Sequence, residues 1–160
     1  MILAIDPGNE MSAFVFLSNH YKIANKGKFA NAQVLDIIKK NRGLCDTVVI
    51  ERIASYGMPV GKTVFETCEW VGRFTQVAIA NRYKVDYIYR QEEKMALCHD
   101  ARAGDANIHR ALIDRFAKHD FRTGKGTKSN PDTFYGFAKD EWAAMAVGVT
   151  YLDREGACNP

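Results

Sequence analysis

The sequence predicts an α/β fold in which a mixed sheet of about five strands carries helices on both faces. The first observation is a pair of strand-length apolar runs, residues 2–6 and 46–51, each of which ends in an acid. The second observation is a series of three strand-like segments near the start of the chain, joined by short connections, which is typical of an antiparallel meander. The third is the alternation of helical and strand patterns after residue 31, which favours parallel strands joined by helices.

Each predicted strand has a local reason. Residues 2–6 are apolar up to Asp6, and the turn formers Pro-Gly-Asn follow at once. The second, fourth and fifth strands read MSAFVFL, DTVVIE and KVDYIY, which are short runs rich in β-branched and aromatic residues. The first and fourth are expected side by side at the centre of the sheet. The predicted strands are residues 2–6, 11–17, 21–29, 46–51 and 84–89.

The helices follow from apolar residues at helical spacing. Val34, Leu35 and Ile38 mark the first helix, and Gly43 ends it. A segment rich in Gly, Lys, Ser and Thr precedes the last helix, and we expect a mobile basic loop over residues 121–131. The predicted helices are residues 31–42, 62–81, 91–98, 105–118 and 137–153, with a C-terminal tail after 153.

Length and composition indicate one domain over residues 1–160, with 47% hydrophobic and 26% charged residues. The longest apolar run, residues 143–149, is far shorter than the ~20 residues that cross a bilayer. No basic leader precedes Asp6, so we expect a cytoplasmic protein with no membrane partner. The net charge of +3 does not by itself indicate nucleic acid binding. No C-x-x-C pair is present, which disfavours a zinc site.

Three acidic residues stand out by their context. Asp6 and Glu51 end two buried strands, and Asp140 begins the apolar last helix. Carboxylates brought to one edge of a sheet repel each other unless a cation lies between them, and such hard oxygen ligands suit Mg²⁺ or Mn²⁺. For Asp140 alone, a helix-capping role is the simpler interpretation. The four histidines are not spaced as ligands and are expected on the surface; they are His20, His99, His109 and His119.

Three segments of the chain resemble a known family. Ile-Asp-Pro-Gly at 5–8, Val-Ile-Glu-Arg-Ile at 49–53 and Lys-Asp-Glu-Trp-Ala-Ala-Met-Ala-Val at 139–147 resemble RuvC-type Holliday junction resolvases. The likeness is closer to the phage-encoded branch of that family and runs from residue 1 to about 153. The segments that suggest this branch are Tyr-Gly-Met-Pro-Val-Gly at 56–61, Gly-Asp-Ala-Asn-Ile at 104–108 and Gly-Thr-Lys at 126–128.

The resemblance implies a ribonuclease H-like fold, a homodimer and metal-dependent hydrolysis of four-way and other branched DNA. In this family, paired incisions resolve the junction, and two metal ions activate water and stabilise the leaving oxygen. Carried onto this sequence, Asp6, Glu51 and Asp140 become the catalytic residues and metal ligands. The implied cofactor is Mg²⁺, with Mn²⁺ able to substitute.

One position departs from the family pattern. Cellular members place a final Asp three residues after a His or Asp on the last helix. Here the residue three positions after Asp140 is Ala143, so a fourth ligand has to come from elsewhere. Glu141 and Asp132 are the two candidates, although Glu141 points roughly 100° away from Asp140 on a helix.

Several residues are predicted to contact DNA. Tyr56 and Met58 lie in a glycine-flanked loop after Glu51, where they could stack on or wedge into an opened base step, or pack on their own loop. The chain from residue 110 to 128 is basic, which fits either phosphate contacts or a solvated surface. The basic residues selected for phosphate contact are Lys94, Arg110, Lys125 and Lys128.

The helix predicted at 62–81 is apolar over most of its circumference, which indicates burial on more than one side. We assign Trp70, Phe74 and Val77 to a dimer interface and the other apolar stripe to the sheet. The alternative is that the C-terminal helices cover this helix within one chain. The stripe assigned to the sheet is Val64, Cys68, Val71, Thr75, Ala78 and Ile79, with Phe65 and Gly72 beside it.

The sequence predicts a structure-selective DNA endonuclease and leaves two other functions open. A ribonuclease H-fold nuclease acting on RNA precursors shares the early Asp and the strand-end Glu. A junction-binding module that has lost cleavage is favoured by Ala143. Actin-like ATPases also begin with an acidic turn, but 160 residues cannot hold their two lobes.

Overall fold

The computed structural model of the chain describes residues 1–55, 57 and 59–156. Within these residues it forms a sheet of five strands, flanked by helices. The strands are β1 (Ile2–Asp6), β2 (Met11–Leu17), β3 (Ile23–Ala30), β4 (Thr47–Arg52) and β5 (Lys84–Tyr89). The helices are α1 (Asn31–Lys40), α2 (Lys62–Ala80), α3 (Arg90–Cys98), α4 (Asp105–Phe116) and α5 (Lys139–Arg154).

The strand order is β3-β2-β1-β4-β5, so β1 lies at the centre beside β4. β1 pairs antiparallel with β2, and β2 antiparallel with β3. β1 pairs parallel with β4, and β4 parallel with β5. This confirms the predicted mixed sheet, in which three antiparallel strands are followed by parallel ones.

Both faces of the sheet are covered, as predicted. Leu3 and Ile5 of β1 belong to a core shared with α1 and α2, whereas Ile2 and Ala4 belong to a core shared with α4 and α5. Successive side chains of a strand point to opposite faces, so a strand buried on both faces has to be apolar throughout. No helix among the described residues is long and apolar enough to cross a membrane.

The ends of two elements differ from the sequence prediction for visible reasons. The third strand begins at Ile23 rather than at Tyr21, because Tyr21 has a left-handed backbone with φ of 57° and donates its amide to Ser18. The helix α4 ends at Phe116, because Ala117 has an extended backbone and the next amide, that of Lys118, donates to a carboxylate.

The basic segment after α4 is folded by two aspartates, where the sequence predicted a mobile loop. Asp132 is buried and accepts four backbone amides, and Asp120 accepts the amides of three residues that follow it. Burial alone would raise the pKa of Asp132, but the amide donors outweigh it and hold this pKa below its ordinary value. The two carboxylates accept backbone amides that the strands or helices of a regular element would otherwise satisfy.

The buried side of α2 matches its predicted assignment only in part. Ala78, which was predicted to face the sheet, is fully buried, and Val71 of the same stripe packs on that core. Phe74 is fully buried in the core beneath the sheet, so the prediction that it forms a dimer interface is wrong. Trp70 and Val77 are partly buried and pack on the same core, with the Trp70 and Phe74 rings 5.8 Å apart. Phe65 and Ile79, which the sequence predicts on the sheet side, are instead 60% and 56% exposed.

This correction predicts opposite effects on stability for two phenylalanines of one helix. Phe74→Ala removes a fully buried ring and should lower the free energy of unfolding by about 3–5 kcal/mol. Phe65→Ala, at a position that is 60% exposed, should change it by less than about 1 kcal/mol. Urea denaturation of both variants at low protein concentration makes the comparison. Equal losses would contradict the orientation of α2.

Candidate active site

The sheet brings Asp6 and Glu51 together at one edge. β1 and β4 run parallel with Ile5 opposite Ile50, so the residues that follow these two lie side by side at the carboxyl ends of the strands. The chain turns away directly after Asp6, at Gly8. A Cβ at this glycine would lie 2.3 Å from the carbonyl oxygen of Met11, so the tight return into β2 needs glycine.

The helix α5 delivers the third carboxylate. It lies close against the sheet, since a Cβ at Gly148 would be only 3.1 Å from the Cβ of Ala4 and 3.2 Å from Leu17. Asp140 lies in the first turn of α5 and lines the same cleft as Asp6 and Glu51. The cleft has a volume of about 260 Å³. The structure therefore assembles the three acids that the sequence singled out.

The carboxylates form an electrostatically strained group. Burial raises the pKa of Asp6 to about 9, with further contributions from the charge of Glu51, from a hydrogen bond with it and from the charge of Asp140. A divalent cation between these oxygens would relieve the repulsion, and carboxylate oxygens are the donors that Mg²⁺ and Mn²⁺ prefer. The donor set thus fits such an ion.

The side chains are not gathered around an ion. No group of three His, Cys, Asp or Glu residues in the described part of the chain is close enough to enclose a metal. Asp140 is drawn aside by an ion pair with Lys28 of β3. Ligation by Asp140 therefore requires this half-exposed pair to open, and such surface pairs contribute little to stability.

The raised pKa predicts how stability depends on pH. The pKa of Asp6 is higher in the folded chain than its ordinary 3.8, so the proton favours folding; this contribution is present below 3.8 and lost as pH rises through about 9. Metal-free protein should therefore lose stability between pH 5 and pH 9, and Asp6→Asn should reduce that loss. Thermal melts in a chelator test this. Identical pH profiles for both proteins would contradict it.

Four further polar or charged residues, to which the sequence assigned no part in the site, line the cleft: Arg90, Asp105, His109 and Lys139. His109 stacks on Trp142 with ring centroids 4.9 Å apart, and burial lowers its pKa, so the ring is neutral near pH 7. The sequence predicted every histidine on the surface, and this one is half-buried at the cleft. Its spacing of four residues from Asp105 on α4 was the available signal, since such pairs share a helix face.

Arg90 is held by two acids. Its guanidinium donates to Glu93 of α3 and to Asp105 of α4. Glu93 is fully buried, and its second carboxylate oxygen, Oε1, has no hydrogen-bond partner among the described residues. Burial raises the pKa of Glu93, and the nearby charge of Glu51 raises it further. The signal for Arg90 was its place directly after β5, which ends at the same edge as β4.

The two candidates for a fourth ligand are both engaged elsewhere, and neither lines the cleft. Glu141 accepts the Ala138 amide at 2.7 Å and pairs with Lys26 at 2.7 Å, so it caps α5. The carboxylate oxygens of Asp132 accept hydrogen bonds from the backbone amides described above. Ala143 itself lines the cleft, and the prediction of a fourth ligand at Glu141 or Asp132 is wrong for this arrangement.

None of the predicted DNA contacts within the described residues lines the cleft. Arg110 pairs with Asp114 and donates to the Phe121 carbonyl, and Lys125 donates to the Phe137 carbonyl at 2.8 Å. Lys94 is half-buried one turn beyond Arg90 on α3, and Lys128 is exposed. The predicted base-contacting residues, Tyr56 and Met58, lie outside the described residues.

Comparison with known proteins supports the fold. A scan against protein-family models gives no match, and a sequence search of curated proteins gives none either. A structure of Thermus thermophilus RuvC matches with a TM-score of 0.66 and 14% identity, over 99% of this chain and 98% of that one. A structure of T. thermophilus RuvC in complex with a Holliday junction substrate matches over the same shares, with a TM-score of 0.69 and 14% identity. The chain therefore has the RuvC-like, ribonuclease H-like fold that the sequence predicted.

Proposed function

We propose that the protein is a structure-selective endonuclease that hydrolyses phosphodiester bonds in four-way and other branched DNA with a divalent metal ion. The observation that carries this proposal is the convergence of Asp6, Glu51 and Asp140 on one cleft. A RuvC with the same fold binds a Holliday junction substrate, which makes branched DNA the substrate to test first. The proposed place of action is the cytoplasm of a bacterial or phage-infected cell.

Each residue of the cleft has a part in the proposed reaction. Asp6 and Glu51 would hold Mg²⁺, or Mn²⁺ in its place, from the strand ends, and Asp140 would hold it from α5. A bound divalent ion activates water and neutralises charge on the phosphate. Neutral His109 offers an acceptor for the proton that the attacking water gives up. Lys28, once released by Asp140, becomes a free cation at the mouth of the site.

The proposed active form is a homodimer that pairs through the exposed face of α2. Phe65 and Ile79 expose large apolar area on this face, together with Cys68 and Gly72. A Cβ at Gly72 would meet no atom within 4 Å, so the middle of the face is an open notch. A second copy of α2 can approach closely at such a notch, and a two-fold interface uses the same face of both copies.

Binding is proposed to act through phosphates rather than bases. Neutralising Lys94 and Lys128 together should reduce the slope of log affinity against log salt by about one to two units, because each phosphate contact contributes about 0.9. Affinity should fall equally for junctions of different sequence. Fluorescence anisotropy between 50 and 200 mM salt measures both quantities. An unchanged slope would indicate that these lysines belong to an ordinary solvated surface and do not contact phosphates.

The test of function is incubation of the protein with a labelled synthetic four-way junction and Mg²⁺. We expect paired nicks in the junction and none in a linear duplex of the same sequence. Preferred cutting of structured RNA would instead favour a nuclease for RNA precursors. Tight binding without cutting would favour the non-cutting module, for which Ala143 is the specific observation.

A further inference from the structure

Arg90 is the feature of the cleft that the proposed reaction leaves unexplained. It is the first residue of α3 and lines the cleft together with Asp6, Glu51 and Asp140. Its side chain is only 27% exposed. A cation in the same cleft as the proposed metal-binding acids competes with the metal for their charge, and the reaction described above gives it no part.

The guanidinium is fixed in place rather than free to swing. One end donates to Glu93 and the other to Asp105, which are carried by two different helices. An arginine has five N–H donors, and these two bonds use two of them. Three donors remain beyond these bonds, and a guanidinium group presents its donors in a fork that matches phosphate oxygens.

The formal charges around the cleft leave room for one divalent ion. With every carboxylate ionised, Asp6 by a bound metal ion and Glu93 by its pair with Arg90, five carboxylates stand against three cationic side chains, and the formal charge is two minus with His109 neutral. One Mg²⁺ balances that charge, and a second would leave the site with an excess of two positive charges. The carboxylates are Asp6, Glu51, Glu93, Asp105 and Asp140, and the cations are Lys28, Arg90 and Lys139.

We propose that Arg90 is a catalytic residue that contacts the scissile phosphate and takes the place of a second metal ion. This inference rests on the proposed function and concerns how the same site works without a carboxylate at Ala143. A water oxygen forms the new bond to phosphorus, and the bond to the leaving sugar oxygen breaks with its electron pair. The attacking water gives one proton to His109, as proposed above, and the leaving oxygen takes one from solvent, while Arg90 donates to the phosphate oxygens that gain charge.

The test separates the charge of Arg90 from its structural bond to Glu93. Arg90→Met alone leaves a buried carboxylate unpaired and could unfold the chain. The informative comparison is therefore Arg90→Met with Glu93→Gln against Glu93→Gln alone. Single-turnover cutting of a junction in Mg²⁺ should be about 10²- to 10³-fold slower in the double variant, the usual effect of losing one transition-state donor. Junction affinity in Ca²⁺ should change by less than about threefold, within the ~0.7 kcal/mol that this factor represents.

A metal count gives a readout that does not depend on cutting. Calorimetric titration of the DNA-free protein with Mn²⁺ should give one ion per chain in the wild type and in both variants. Arg102→Met, which alters an arginine whose side chain is 94% exposed, serves as the control and should cut normally. Two ions per wild-type chain, or normal cutting by the double variant, would overturn the proposal. A wild type that binds one ion but cuts no branched DNA would contradict the proposed function and leave the one-ion site supported.

Discussion

Replacing Asp6 with Asn should reduce cleavage of a four-way junction by about 10³-fold or more while leaving junction binding intact. The substitution preserves the shape of the side chain and removes the negative charge that Asp6 would carry with a metal ion bound in a cleft built from converging carboxylates. Loss of one preorganised electrostatic contact in the transition state is enough for an effect of this size. Binding should hold or improve, because less negative charge faces the phosphates. Glu51→Gln and Asp140→Asn should give the same pattern.

The neighbouring acid of the same helix provides the matched control. Glu141 pairs with Lys26 and caps α5, so Glu141→Gln should cut DNA at nearly the wild-type rate and lose only a little stability. Single-turnover rates and anisotropy on one junction compare all four variants. A defect in Glu141→Gln as deep as that of Asp6→Asn would contradict our placement of the site. Normal cutting by Asp140→Asn would show that α5 contributes no ligand to the site.

Two substitutions on the outer face of α2 should produce a folded monomer that no longer makes paired incisions. Phe65 and Ile79 are 60% and 56% exposed in a single chain, so glutamates there disturb no core. In a two-fold dimer the same glutamates would face their copies across the interface, where like charges repel. Light scattering should give half the parental mass, and circular dichroism should be unchanged. Single nicks should accumulate in place of resolved junctions.

The inner face of α2 is the contrasting case. Phe74 is fully buried, so Trp70→Glu with Phe74→Glu should unfold the chain rather than dissociate it. This contrast distinguishes an interface from a core without a structure of the dimer. A parent protein that is monomeric at tens of micromolar would contradict the interface, and the outer face would then be an ordinary exposed surface.

The sheet and its acids could be predicted because their signals are local. An apolar run that is buried on both faces has no alternation, and an acid at its end marks the point where the strand leaves the core. This identified Asp6 and Glu51 as well as the central pair of strands, and the parallel register then brought them together. The position of Asp140 needed only the start of the next apolar helix.

The orientation of α2 could not be predicted, because its two stripes are about equally apolar. Its buried face includes Thr67, which looks polar in sequence but donates its hydroxyl to the Thr63 carbonyl at 2.8 Å and needs no other partner. The acids at 132 and 141 were misassigned for a similar reason. Backbone amides and a lysine from a distant strand bind them, and such partners are not visible along the chain.

The central position of β1 and β4 determines the order in which parts of the site lose their structure when the protein unfolds. Amides in the middle of a sheet covered on both faces exchange with solvent mainly when the whole domain opens, whereas helix ends and surface loops open locally at little cost. Asp6 and Glu51 are fixed to the slowest-exchanging part of such a protein, and Arg90 to the end of a helix on its rim. In mild denaturant, the metal-binding half of the cleft should persist until global unfolding, after the arginine has already become mobile.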